Sequence, residues 1–428
     1  MNSEEFERML RDFLAQQGID PAEASQFFGA GLTPADLAQI FSRFSQTTAD
    51  GGSAVDWDLA KSRALDFVKK QNVEHEGSSL SELATTFEPE VTKAFKIASL
   101  WLAATTDLSA TLAPKSLSRE LWVMDAMPLF QKLAEPIAEA MANALGENLG
   151  ELLPEEFAEF AASANSMLRR AGASLFALQL GSALGQFALD ALVAGEVGIP
   201  ISERPGVVIG NALLFSRSNG LPEDQVLLYL ALRELALHSL FTKSTWLRDQ
   251  IVNQVREYAA GLRIDAEQLR DFAANASEIS GEELAQSLSA AGLIAQRSEG
   301  QLQAMERIEF MLALIEGWVE STAQEAGARL PALPQISEAI RRRRAVGGIG
   351  EKTFETLLGL ELRPRLLRET AAMWVQLNER IGRPAADQLW SHPDLLPSPA
   401  EVIEPEKLVA RLRGQEDELD KQLRDLLD

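Results

Sequence analysis

The sequence predicts a mainly α-helical protein interrupted by one short β-hairpin, and three observations carry that expectation. Apolar residues recur at three- and four-residue spacing through most of the chain, as in Val91, Ala94, Ile97, Ala98, Trp101 and Leu102. Capping residues and early prolines stand in front of several of these runs. Only between Ile199 and Asn219 does the pattern change, where Pro200, Pro205, Gly206 and Gly210 punctuate the runs Val207–Ile209 and Ala212–Phe215, which read as paired strands.

Taken in order, Asn2 and Glu5 form a capping pair ahead of Phe6, Met9, Leu10, Phe13 and Leu14, and Thr33-Pro34 opens a second helix. The stretch Thr47-Thr-Ala-Asp-Gly-Gly-Ser53 is the clearest linker, so residues 1–50 are expected to be a helical appendage. Residues 54–165 read as a helical layer with Trp122 as a core anchor, 166–400 as the main region, and 401–428 as a charged amphipathic segment. Within the main region, residues 171–189 carry no charge and approach the length of about 20 residues needed to span a bilayer. Ser174, Gln179, Ser182 and Gln186 moderate that stretch, and Gly172, Gly181 and Gly185 would let a neighbouring helix come close, so a buried helix is expected rather than membrane insertion. Ser244 is placed to cap the helix that follows, and further helices are expected over 282–291 and 301–323.

Composition narrows the function classes. Acidic residues outnumber basic ones by 63 to 40, and the net charge of -23 repels nucleic acid and anionic surfaces. With no cysteine in its 428 residues, the chain has no thiol nucleophile and no cysteine-ligated metal. That absence, and an acidic start unlike a secretion signal, set the expectation of a cytoplasmic protein.

The chain is organised around residues 221–241, which contain Arg233-Glu234-Leu235-Ala236-Leu237-His238. A zincin helix carries His-Glu-x-x-His, in which two histidines one turn apart hold zinc and the glutamate acts as general base. Aligned on Glu234, the two ligand positions are Arg233 and Leu237, and His238 falls one residue late. The other two histidines are His75, in a polar stretch, and His392, in the turn Ser391-His-Pro-Asp394. His238 lies one turn after Glu234 and can hydrogen-bond to it, a reading favoured over that of a shifted ligand. Arg233, which keeps its charge, is expected to pair with Glu234, Glu316 or another carboxylate. The run Arg341–Arg344 reads as a helix C-terminus favoured by the dipole, or as a patch for an acidic partner protein.

Several phrases together resemble a family of bacterial zinc-dependent metalloproteases, related to a branch linked with deazaflavin-cofactor biosynthesis. They include Val55-Asp-Trp-Asp-Leu-Ala60, Ser118-Arg-Glu-Leu-Trp122, Leu228-Tyr-Leu-Ala-Leu-Arg-Glu234, Glu316-Gly-Trp-Val-Glu320, Arg341–Arg344 and Leu389-Trp-Ser-His-Pro-Asp-Leu-Leu-Pro397. The resemblance implies a zincin-like fold in which a strand near the metal helix can hold extended substrate at a sheet edge. It also implies a second motif, Glu-Gly-aromatic-x-x-His, whose last position is Ser321 here.

Glu234 is then the vestige of a general base, Arg233, Leu237 and Ser321 stand at former ligand positions, and His238 and Glu316 are the remaining pocket candidates. The expected function is a non-catalytic binding or scaffold protein with a protein or peptide partner and no cofactor. The alternative is an active metal-dependent hydrolase or peptidase using His238, Glu234 and Glu316 on zinc. A helical adaptor binding through Arg341–Arg344 is the third reading.

Overall fold

The computed structural model describes residues 53–75, 84–152, 158–263, 297–346 and 366–414, together with positions 352, 355 and 359. The appendage expected over 1–50, the helix over 282–291 and residues 415–428 lie outside the described residues.

The architecture is mainly helical, as the spacing predicts. In chain order the elements are α1 (Trp57–His75), α2 (Glu88–Ala103), β1 (Lys115–Leu117), α3 (Arg119–Leu152), α4 (Ala158–Asp190), β2 (Gly206–Val208), α5 (Ile209–Ser218) and α6 (Glu223–Lys243). There follow α7 (Trp246–Ala260), α8 (Glu299–Ala326), α9 (Leu333–Val346), α10 (Leu367–Ile381), α11 (Arg383–Asp387), two short 3-10 turns and α12 (Pro399–Ile403).

α6 is the central element. Every residue from Val226 to Phe241 is buried, because α2, α5, α7, α8 and α9 pack around it together with β2. A helix apolar on all sides belongs in the middle of a helical protein. Pro222 precedes its first turn, and Glu223 and Asp224 sit at the positive end of its dipole. α8 is its main long partner and is buried without interruption from Met311 to Ala323. Its start is fixed by a capping box between Ser298 and Gln301.

The glycine-containing helix is buried as expected. α4 packs against α1, and a Cβ at Gly181 would stand 2.4 Å from the Ala60 carbonyl oxygen, while one at Gly185 would stand 2.9 Å from Phe67 Cβ. Residues 172–190 are long and apolar enough to cross a membrane by length and composition, but Phe176, Leu180, Leu184 and Phe187 lie in the core. Trp122 is an anchor as expected: fully buried, it stacks with Phe187 at 6.3 Å and donates to the Val193 carbonyl at 3.0 Å.

Two local expectations are corrected. The sheet has two strands, but β2 pairs in parallel with β1, Ser116 opposite Val207, and so is joined to it by a long crossover rather than a hairpin turn. Residues 212–215 belong to α5, since a short apolar run buried on all sides fits either helix or strand. Asn211 helps to decide it, donating to the Ala188 and Ala191 carbonyls at the end of α4, which lack intrahelical partners. Ser244 does not cap α7. Its hydroxyl donates to the Trp390 carbonyl at 2.8 Å, which also accepts from Trp246 Nε1 at 3.1 Å.

Candidate functional site

The sequence motif falls on the buried middle of α6, so the geometry around Glu234 decides what the motif can do. Its carboxyl accepts from the backbone N–H groups of Gly195 at 3.1 Å and Gly206 at 3.2 Å, pinning the segment before β2 onto the helix. Glycine at 195 lets the backbone come close, since a Cβ there would stand 2.2 Å from Leu237 Cδ2 and 3.1 Å from Glu234 Oε2, so that the Leu237 side chain would have to move. Leu237, at the second former ligand position, thus packs beneath that backbone.

Burial pushes the Glu234 carboxyl up to about 8, the two backbone donors only partly opposing it while Glu196 and Glu316 add to it. His238 lies one turn on, with Nδ1 3.3 Å from Glu234 Oε1 and 3.2 Å from the Glu234 carbonyl oxygen. Its Nε2 is 3.1 Å from the Ser202 carbonyl. Both ring nitrogens face carbonyl oxygens, which only accept, so the single hydrogen of the neutral ring serves one of the two, and Glu234 Oε1 stands beside Nδ1. Burial pushes the imidazole down to about 4, against the pull of the Glu234 and Ser202 carbonyls. His238 is thus held within its own helix, Nδ1 lying against the Glu234 carbonyl and carboxyl and Nε2 against Ser202.

Arg233, at the first former ligand position, turns to the other side of the helix and donates to Glu316 Oε2 at 2.8 Å. Burial works against its charge, but Glu316, Tyr229 and Glu320 outweigh that and hold the guanidinium above its ordinary value. Of the partners expected for it, Glu316 is the one realised. Ser321, the third position, donates to the Trp318 carbonyl of its own helix at 3.0 Å.

The run Arg341–Arg344 lies at the C-terminal end of α9, with Arg343 and Arg344 in its last turn, and its arginines meet carboxylates of this chain. Arg344 pairs with the same Glu316 Oε2 that Arg233 holds. Arg343 pairs with Glu196, whose Oε2 also accepts from the Leu192 N–H at 2.8 Å. Burial raises the Glu196 carboxyl, but Arg343 and Arg344 more than offset it, and the net direction is down. Arg341 meets Glu320 at 3.2 Å and Glu338 at 3.1 Å, and Arg342 meets Glu338 at 3.7 Å. Glu196 was missed by the sequence reading, and the only signal for it was an acidic residue in a glycine-flanked turn, Gly195-Glu196-Val197-Gly198. Gly198 has φ +76, and a Cβ there would stand 3.3 Å from Glu316 Oε1.

These residues do not fit zinc. The positions that align with the motif's ligands hold a guanidinium, an isobutyl group and a hydroxyl, and Glu316 already carries two arginines. Among the described residues, no three His, Cys, Asp or Glu side chains are grouped so as to hold a metal ion. The set His238, Glu234 and Glu316 is not brought together, since His238 lies on Glu234 and Ser202 while Glu316 lies on Arg233 and Arg344.

The remaining histidines and the strand edge resolve into structure rather than chemistry where they are described. His392 accepts from the Asp394 N–H at 3.3 Å, stabilising its turn as expected. The side chain of His75 lies outside the described residues. β2 is bonded on both sides, because Ala194 donates to the Gly206 carbonyl and Val208 to the Leu192 carbonyl opposite the β1 edge. The expected addition of an extended substrate to this strand is thus blocked by the chain itself.

The profile of the zincin-like metallopeptidase family matches residues 55–409. The chain belongs to this family. A crystal structure of a candidate hydrolase with a novel fold from Chloroflexus aurantiacus is similar to this zincin-like protein, with a TM-score of 0.57 and 18% identity over 84% of this chain and 99% of that one. At that identity the likeness is one of fold. No curated protein matches.

Proposed function

We propose that this zincin-like protein is a non-catalytic binding or scaffold protein in which an arginine–carboxylate network has taken the place of the zinc site. The observation that carries the reading is the convergence of Arg233 and Arg344 on Glu316, which puts two fixed positive charges on the carboxylate remaining from the second motif. A guanidinium is not deprotonated in practice, so these charges repel a dication at every working pH. Glu234, spent on two backbone N–H groups and His238, is turned to holding the fold. In this reading the His-Glu-x-x-His motif is a lost one, and the likeness to the deazaflavin-linked branch is one of descent.

The net charge of -23 and the absence of cysteine support a cytoplasmic setting and a protein or peptide partner rather than nucleic acid. Metal analysis of protein purified without chelator tests the proposal. We expect substoichiometric zinc. One zinc per chain that is lost in Glu316→Ala or His238→Ala would establish the alternative, an active hydrolase with an unorthodox ligand set.

A further inference from the structure

We propose that α9 is a latch, closing the carboxylate pocket over α6 and α8 through arginines that enter from the solvent side. Its apolar face, Ile336, Ala339 and Ile340, rests on the protein, while Arg341 and Arg342 are exposed and Val346 at its end is 71% exposed. The asymmetry of the ion pairs defines the device. The Arg343 side chain keeps 26% of its surface and its partner Glu196 only 7%; for Arg344 and Glu316 the values are 20% and 5%. The carboxylates are fixed from behind, Glu196 by the Leu192 N–H and Glu316 by Arg233, whereas the two arginines come from one helical turn, Arg343 donating also to the Asp190 carbonyl. Their outer ends meet water and salt, so the joint weakens from that side first. Withdrawal of the turn would uncover Glu196, Glu316 and Glu320 together, and Arg233 would then be the charge left on Glu316. Access to the pocket is therefore set by α9. A neutralised carboxylate frees the turn, and so does high ionic strength.

This regulation rests on the pocket being filled by arginine rather than metal, and amide hydrogen exchange on the full chain separates the two. Glu196→Gln is expected to speed exchange in residues 333–346 by about tenfold while residues 223–243 stay as protected as in the wild type. Glu338→Gln, which removes only the surface partner of Arg341 and Arg342, is expected to leave exchange in 333–346 unchanged. Raising salt to about 0.5 M should act on the wild type as Glu196→Gln does. Unchanged exchange in 333–346 in Glu196→Gln overturns the latch, and so does a parallel rise in 223–243, which would make α9 simply part of the core. Glu316→Gln, which also strands Arg233 of α6, is expected to speed exchange in both segments. Stoichiometric metal in the wild type overturns the arginine-filled pocket itself, an outcome distinct from either.

Discussion

Glu234 Oε1 lies 3.3 Å from His238 Nδ1 in the middle of α6, and burial acts on both, pushing the carboxyl up and the imidazole down. In the unfolded chain the carboxyl and imidazole titrate at their ordinary values of 4.5 and 6.5, and in the fold at about 8 and about 4. The Glu234 value is raised, so its contribution is present at low pH and is lost as pH rises toward 8. The His238 value is lowered, so its contribution is present above 6.5 and is lost as pH falls toward 4. Between 4.5 and 6.5 the two slopes oppose each other, and above 6.5 only the loss from Glu234 remains. Stability is expected to be level across the mildly acidic range and to fall by roughly 2 kcal/mol between pH 6.5 and 8. Urea unfolding at half-unit pH intervals measures it, and a curve still rising through pH 8 would show that burial does not hold the Glu234 carboxyl neutral.

Glu234→Gln and Glu234→Ala should part company. With its oxygen at the place of Oε1, glutamine can still accept from both Gly195 and Gly206, so this variant should fold and, having no carboxyl to titrate, lose the alkaline decline. Alanine leaves both buried N–H groups unpaired, at about 1–3 kcal/mol each. Equal destabilisation of the two variants in denaturant melts would count against the pinning role.

Removing one member of the Arg233–Glu316 pair strands a buried charge. Arg233→Ala is expected to cost about 3–5 kcal/mol, because Glu316 would rely on Arg344 alone. The double change Arg233→Met with Glu316→Leu removes both charges and should cost less than either single change to alanine. A double-mutant cycle with no coupling would show that the pair is not a unit.

Gly181→Ala should destabilise by about 1–3 kcal/mol, since the new methyl would meet the backbone oxygen of Ala60 rather than a side chain able to move. The same change at Gly172, where a Cβ has open space, should be neutral or slightly stabilising. Thermal melts of the two variants make the comparison.

Much of the architecture was legible in the residues. The all-round apolar pattern of α6, the glycine spacing of α4 and the anchor Trp122 are local signals, and burial follows from them directly. Counting along the helices also places Arg233, Leu237 and Ser321 where the motif would put imidazole, an alignment made on the sequence alone. The hairpin expectation failed where a short apolar run carries no period that separates strand from helix.

By itself, then, the sequence determined the helices and the absence of histidine from the aligned ligand positions. The tertiary structure alone decided what stands there instead. Arg343 reaches Glu196 across 147 positions of chain, Arg233 reaches Glu316 across 83, and β2 finds its parallel partner in β1 across a long crossover. A run of arginines specifies charge and a helical face, but ion pairs are short-ranged and indifferent to sequence separation. Which carboxylate each arginine meets depends on how α8 and α9 pack around α6, and that packing is set by the apolar faces of the helices rather than by the charges.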